Sequence, residues 1–201
     1  MATQLFIYFF KYDVGGNDWN SSYVIFSTTG VVAQIIGMMV IYPLLRKKFT
    51  NPQIFTLVII ISVIGYGVML ALGLTRQTSN LVFLLYICAA LVYIGNGMLG
   101  VLCTLFLANS CDYGQLKTGQ REESMIFSMQ TFVVKAGSGF ASFICGVGID
   151  AIGIVQGTGD QIIQQSGGTI LGLDLIMTIP PIVCLILSFI WFKAKFKLTD
   201  E

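Results

Sequence analysis

Five apolar runs, each long enough to cross a bilayer as a helix, decide what this chain can become. They cover roughly residues 23–44, 51–74, 81–107, 125–155 and 170–192. A hydrocarbon core about 30 Å thick is spanned by about 20 apolar residues at ~1.5 Å each. Inside it there is no water to satisfy backbone polar groups, so each run must close its own hydrogen bonds, as a helix does. The expected fold class is therefore all-α and integral to the membrane, with the 201 residues consumed by spans and short links.

The same runs narrow the function. Hydrophobic residues make up 55% of the chain and charged residues 10%, and the 11 basic and 10 acidic side chains nearly cancel. A nucleic-acid partner needs a concentrated basic face, so none is expected. Histidine is absent, which removes the commonest general base and metal ligand. Cys88, Cys103, Cys111, Cys145 and Cys184 are scattered without metal-ligand spacing and read as small hydrophobes. With no activated nucleophile in view either, the chain is not expected to be an enzyme or to hold a permanent cofactor.

Along the chain, the first apolar stretch, from Ala2 to about Phe10, is too short to span and reads as the tail of a helix whose beginning is missing. Asn51 and Pro52 are expected to cap and open the second full span. Pro180 and Pro181 lie inside the last one, where lost amide donors should kink it. Gly95, Gly97 and Gly100 spell a dinucleotide-loop pattern but sit in an apolar span with no strand before them, so close helix packing is expected instead. The small residues Gly137, Ser138, Gly139, Ala141, Ser142, Gly146 and Gly148 suggest a second closely packed or sliding face.

Charge places the ends. Arg46, Lys47, Lys48, Lys117, Arg121, Lys193, Lys195 and Lys197 fall at one set of span ends, opposite Arg76. Basic residues beside spans are retained in the cytoplasm, so these ends and the C-terminus are expected inside a cell (inner) membrane.

One basic residue does not flank a span. Counted from the charged end at Arg121, Glu122 and Glu123, Lys135 lies roughly 16 Å into its segment. A lysine can snorkel only from near a helix end, and a central one costs roughly 2.5 to 3.5 kcal/mol on insertion scales. At ~100° per residue Gln130, Thr131, Val134, Lys135, Ser138 and Ser142 share one arc of this helix. Such a stripe either joins an interhelical hydrogen-bond network or lines a watery substrate path, and its neutral and charged donors suit a polyhydroxylated ligand. Before it comes a charged loop, 109–123, containing Asp112, Lys117, Arg121 and Glu123. That loop could form gating ion pairs or be a solvated surface.

The run from Cys111 to Glu123 (CDYGQLKTGQREE) followed by Phe127 to Gly137 (FSMQTFVVKAG) resembles the glycoside-pentoside-hexuronide:cation symporters, the melibiose permease-like family of the major facilitator superfamily. D-Y-G-x-x-K, R-x-E, S-x-Q-T and K-x-G occur in one register, and the flanks YFFKY (Tyr8–Tyr12) and PLLRKK (Pro43–Lys48) agree. The resemblance covers essentially residues 1–201 but only the second half of such a transporter, from late helix seven to helix twelve. It implies a C-terminal six-helix bundle with a truncated first helix, and a secondary transporter coupling sugar or glycoside uptake to a sodium or proton gradient. Gln130, Thr131, Val134 and Lys135 match its substrate-lining positions, Lys135 also being implicated in cation coupling, and Asp112, Arg121 and Glu123 match its gating loop. Two positions depart from the pattern: Asn109 stands where an acid is frequent, and Gly100 where one member has a tryptophan against the sugar. The cation-binding acids of the family belong to the first six helices, so an N-terminal half is an expected partner, with the bilayer and the co-transported Na+ or H+. The alternative expectation is a degenerate bundle that pairs structurally without transporting.

Overall fold

A computed structural model describes residues 2–14, 19–75, 82–120, 123–154 and 165–195. Their regular structure is helical: α1 (Ala2–Phe9), α2 (Trp19–Ile36), α3 (Tyr42–Arg46), α4 (Asn51–Thr75), α5 (Val82–Thr118), α6 (Glu123–Ala151) and α7 (Gly167–Lys195). Among the described residues, five stretches are long and apolar enough to cross a membrane: Trp19–Arg46, Asn51–Thr75, Phe83–Thr118, Glu123–Ala151 and Gly167–Lys195.

The first of these is continuous because a π-helical turn, Gly37–Ile41, joins α2 to α3. Pro43 stands at the start of α3, where its ring cannot donate and crowds the carbonyl four residues back, and a widened turn relieves that clash. A second π-helical turn, Phe10–Val14, continues α1.

At the start of α4 the expected cap moves by one residue. Gln53 Oε1 accepts the Thr50 backbone N–H at 3.0 Å, and the Ile54 N–H donates to the Thr50 carbonyl at 3.0 Å, so Thr50 is the cap and Gln53 closes a capping box. Asn51 is buried and accepts the Tyr42 hydroxyl at 2.9 Å, tying α3 to α4 across the intervening turn. Ser166 caps α7 in the usual way, accepting the Thr169 N–H at 3.2 Å. The helix then runs unbroken through Pro180 and Pro181.

α5 is the centre of the bundle, packed between α2 and α4, while α7 packs on α4 and α1. One core cluster gathers Phe6, Phe10, Phe26, Tyr93, Leu173 and Met177; a second, nearer the basic ends, gathers Tyr42, Ile54, Phe55, Val58, Met98 and Leu102. Lipid gives no hydrophobic drive for helices to associate, so close approach through small residues matters more than in water. A Cβ on Gly37 would stand 2.6 Å from the Ile94 carbonyl oxygen, one on Gly97 would strike the Gln34 carbonyl oxygen, and one on Gly95 the Ser62 hydroxyl. The packing expected of Gly95 and Gly97 is therefore present, but Gly100 faces open space. The small-residue face of α6 also differs from expectation. Gly148 packs on Ile176, whereas a Cβ added at Gly137, Gly139 or Gly146 would meet nothing within 4 Å.

Candidate functional site: the polar stripe of α6

α6 is 29 residues long, and Lys135 is the thirteenth, about 18 Å from the helix start at ~1.5 Å per residue. The helix buries little of itself, Cys145 being its buried residue. It is held at its second half. Ser142 accepts a hydrogen bond from the Gln4 side chain of α1 at 3.0 Å, and Gly148 meets Ile176 of α7.

Its first half stands off from α5 and α7, opening a cavity of about 950 Å³ lined by Phe55, Phe106, Met129, Gln130, Val134, Trp191 and Phe192, among others. The cavity divides the predicted site. Gln130 and Val134 line it, in apolar company, whereas Thr131, Lys135 and Ser138 lie outside its lining and are exposed on the adjoining face. Thr131 and Ser138 turn their hydroxyls back to the Phe127 and Val134 carbonyls at 3.0 and 2.9 Å. Lys135 makes no hydrogen bond or ion pair with any described residue. Among the described residues, the stripe's interhelical hydrogen bonding is confined to Ser142 and Gln4.

The charged loop is shorter than expected. α5 stays helical through Asp112 to Thr118 because neither proline nor a required left-handed turn interrupts it. Helix propensity does not require apolarity, and the Ser110 and Thr118 hydroxyls bond back to the Phe106 and Gly114 carbonyls. Gly119 ends the helix with φ +73°, its N–H donating to the Gln115 carbonyl at 2.8 Å. Asp112 is therefore exposed on the last turns of α5 and Glu123 opens α6, while Arg121 lies outside the described residues.

Sequence reasoning passed over Gln4, whose signal was a single polar side chain inside the first apolar stretch. It also passed over Asp174, a lone acid in the last span.

Comparison with known proteins bears on the whole chain. A family model described as MFS/sugar transport protein matches residues 1–200. An uncharacterized symporter of Bacillus subtilis is 24% identical over 202 residues, covering 100% of this chain and 40% of the relative. A lactose permease of Lactobacillus delbrueckii subsp. bulgaricus is 25% identical over 196 residues, covering 97% of the chain and 29% of the relative. A raffinose carrier protein of Pediococcus pentosaceus is 25% identical over 195 residues, with 97% and 28% covered. The chain thus spans 40% or less of the length of these relatives.

Proposed function

Because the chain belongs to the MFS/sugar transport protein family, we propose that it forms the C-terminal bundle of a secondary transporter that couples uptake of a sugar or glycoside to a sodium or proton gradient. The observation that carries this reading is Lys135: a charge near the middle of an apolar helix, exposed on a face where no described residue of this chain pairs with it. A lysine at that depth in a membrane needs water, a counter-charge or a ligand. In an alternating-access transporter the midplane between two bundles supplies all three.

On this reading Lys135 donates a charge-assisted hydrogen bond to a sugar hydroxyl and couples it to the cation, with Thr131 and Ser138 beside it. Gln130 and Val134 set the flank of the path where it meets the apolar cavity. The partner is a first-half bundle bearing the counter-charges. Asp112, Arg121 and Glu123 lie at the gate, where ion pairs hold one side closed until the bundles rock. The relatives' names, lactose permease and raffinose carrier protein, support a glycoside as the substrate class.

The basic span ends and the C-terminus are assigned to the cytoplasm of a cell (inner) membrane. Lys11, at the end of α1, joins Arg76 on the outer side, so the bias is eight residues to two.

The test is accumulation of radiolabelled galactosides and pentosides by transport-deficient cells expressing the chain with a first-half bundle from the same genome. Accumulation driven by an imposed sodium or proton gradient is expected. Uptake no greater than in control cells, with both proteins present in the membrane, would overturn the reading.

A further inference from the structure

Asp174 is 1% exposed, and neither of its carboxylate oxygens has a hydrogen-bond partner among the described residues. It lies on the face of α7 that buries Leu173, Met177 and Thr178 against the bundle, about 10 Å from the helix start at Gly167. The carboxylate rests on Gly73 of α4, so close that a Cβ there would stand 2.5 Å from Oδ2. The neighbouring hydroxyl does not serve it, since Thr178 donates to the Asp174 backbone carbonyl.

Among the described residues, no cation from the packed elements answers it. α4 and α1 carry no charged residue, their titratable groups being the phenols Tyr66 and Tyr8. α6 brings Asp150, exposed, near its contact with α7. The turn after α1 brings Lys11, whose ammonium lies over the Tyr12 and Trp19 rings at 5.5 and 5.8 Å. It also brings Asp13, whose like charge reaches Asp174.

A buried carboxylate is expensive as a bare ion and persists when a proton, a metal ion or a donor neutralises it. We propose that Asp174 is a binding site for one small monovalent cation, a proton or a sodium ion, held between α7 and the Gly73 notch of α4. The site is built wholly within this chain and sits toward the end of the bundle away from the basic loops, whereas Lys135 lies at mid-helix on another face. It stands whether or not the transport reading does, because binding alone defines it. The glycine has a reason here: any side chain at 73 would fill the space the carboxylate occupies.

The purified full chain in detergent micelles tests the proposal, with two arms that separate the ions. Infrared difference spectra over a pH series detect a protonated carboxyl group; thermal unfolding in sodium against choline salt detects bound sodium. Either a carboxyl band or a sodium-dependent rise in the unfolding midpoint is expected in the wild type. It should be absent from Asp174→Asn, which keeps the shape and removes the charge. Asp13→Asn, which leaves Asp174 in its seat, should weaken binding of whichever ion is found and serves if the first variant does not fold. Carboxyl bands and sodium responses identical in the wild type and both variants would overturn the site.

Discussion

Gly37→Ala tests whether the bundle is held by backbone contact between the first full span, Trp19–Arg46, and α5. The added Cβ would lie 2.6 Å from the Ile94 carbonyl oxygen and 2.9 Å from its Cα, against an ordinary contact of about 3.4 to 4 Å. Both obstructing atoms are backbone, so no rotamer change relieves the overlap, and the helices must separate by roughly 1 Å along this seam. Overpacking of that kind costs about 1 to 3 kcal/mol. Here it acts on the seam that also holds Gly97 against Gln34, so the upper half of that range is expected. Gly67→Ala is the control, because a Cβ at Gly67 meets nothing within 4 Å. Reversible unfolding of the purified chain in mixed micelles, followed by circular dichroism, should show Gly37→Ala destabilised by about 2 to 3 kcal/mol and Gly67→Ala within ~0.5 kcal/mol of wild type. Equal stability of the two variants would refute the close-approach argument.

Three further outcomes are expected. Tyr42→Phe removes the 2.9 Å hydrogen bond to buried Asn51 and should cost about 1 kcal/mol in the same assay, whereas Tyr113→Phe, on exposed surface, should not. Gly100→Trp should leave stability within ~0.5 kcal/mol of wild type, while Gly97→Trp should prevent folding, because the first glycine opens on empty space and the second on the α2 backbone; circular dichroism and size-exclusion chromatography read both. Lys135→Ala should lower gradient-driven sugar uptake in the assembled transporter by about 10- to 150-fold while leaving membrane insertion intact, the loss of a charge-assisted bond worth about 1.5 to 3 kcal/mol; uptake at the wild-type rate in proteoliposomes would refute its role.

The spans were legible because a bilayer demands about 20 apolar residues whatever their order. Their ends were less so. The stretch 109–118 has the composition of a loop, yet α5 continues through it, since a helix leaving the membrane needs no apolar face and meets no stop until Gly119. The π-helical turn at Gly37–Ile41 depends on how Pro43 and the Ile94 backbone are accommodated together, which no single-helix pattern contains. Gly95, Gly97 and Gly100 look alike in sequence but differ in which neighbour each meets, a property of the packed bundle. Lys135 was conspicuous as a charge in an apolar run. Asp174 carried the same signal with the opposite sign, and its meaning emerges only when α7 is set against Gly73.

The central claim is that the Lys135 face of α6 meets a water-filled substrate path and not lipid. Cysteine placed singly at 131, 133, 135 and 138, in an assembled transporter whose five cysteines in this chain are replaced by alanine or serine, reads this out through labelling by a small, water-soluble, charged thiol reagent. Positions 131, 135 and 138 should label rapidly, and 131 and 138, where Lys135 is kept, should be protected by a transported sugar, while position 133, which lines the apolar cavity, should label slowly and without protection. Labelling at 135 as slow as at 133, with labelling at 131 and 138 unchanged by sugar, would contradict the account.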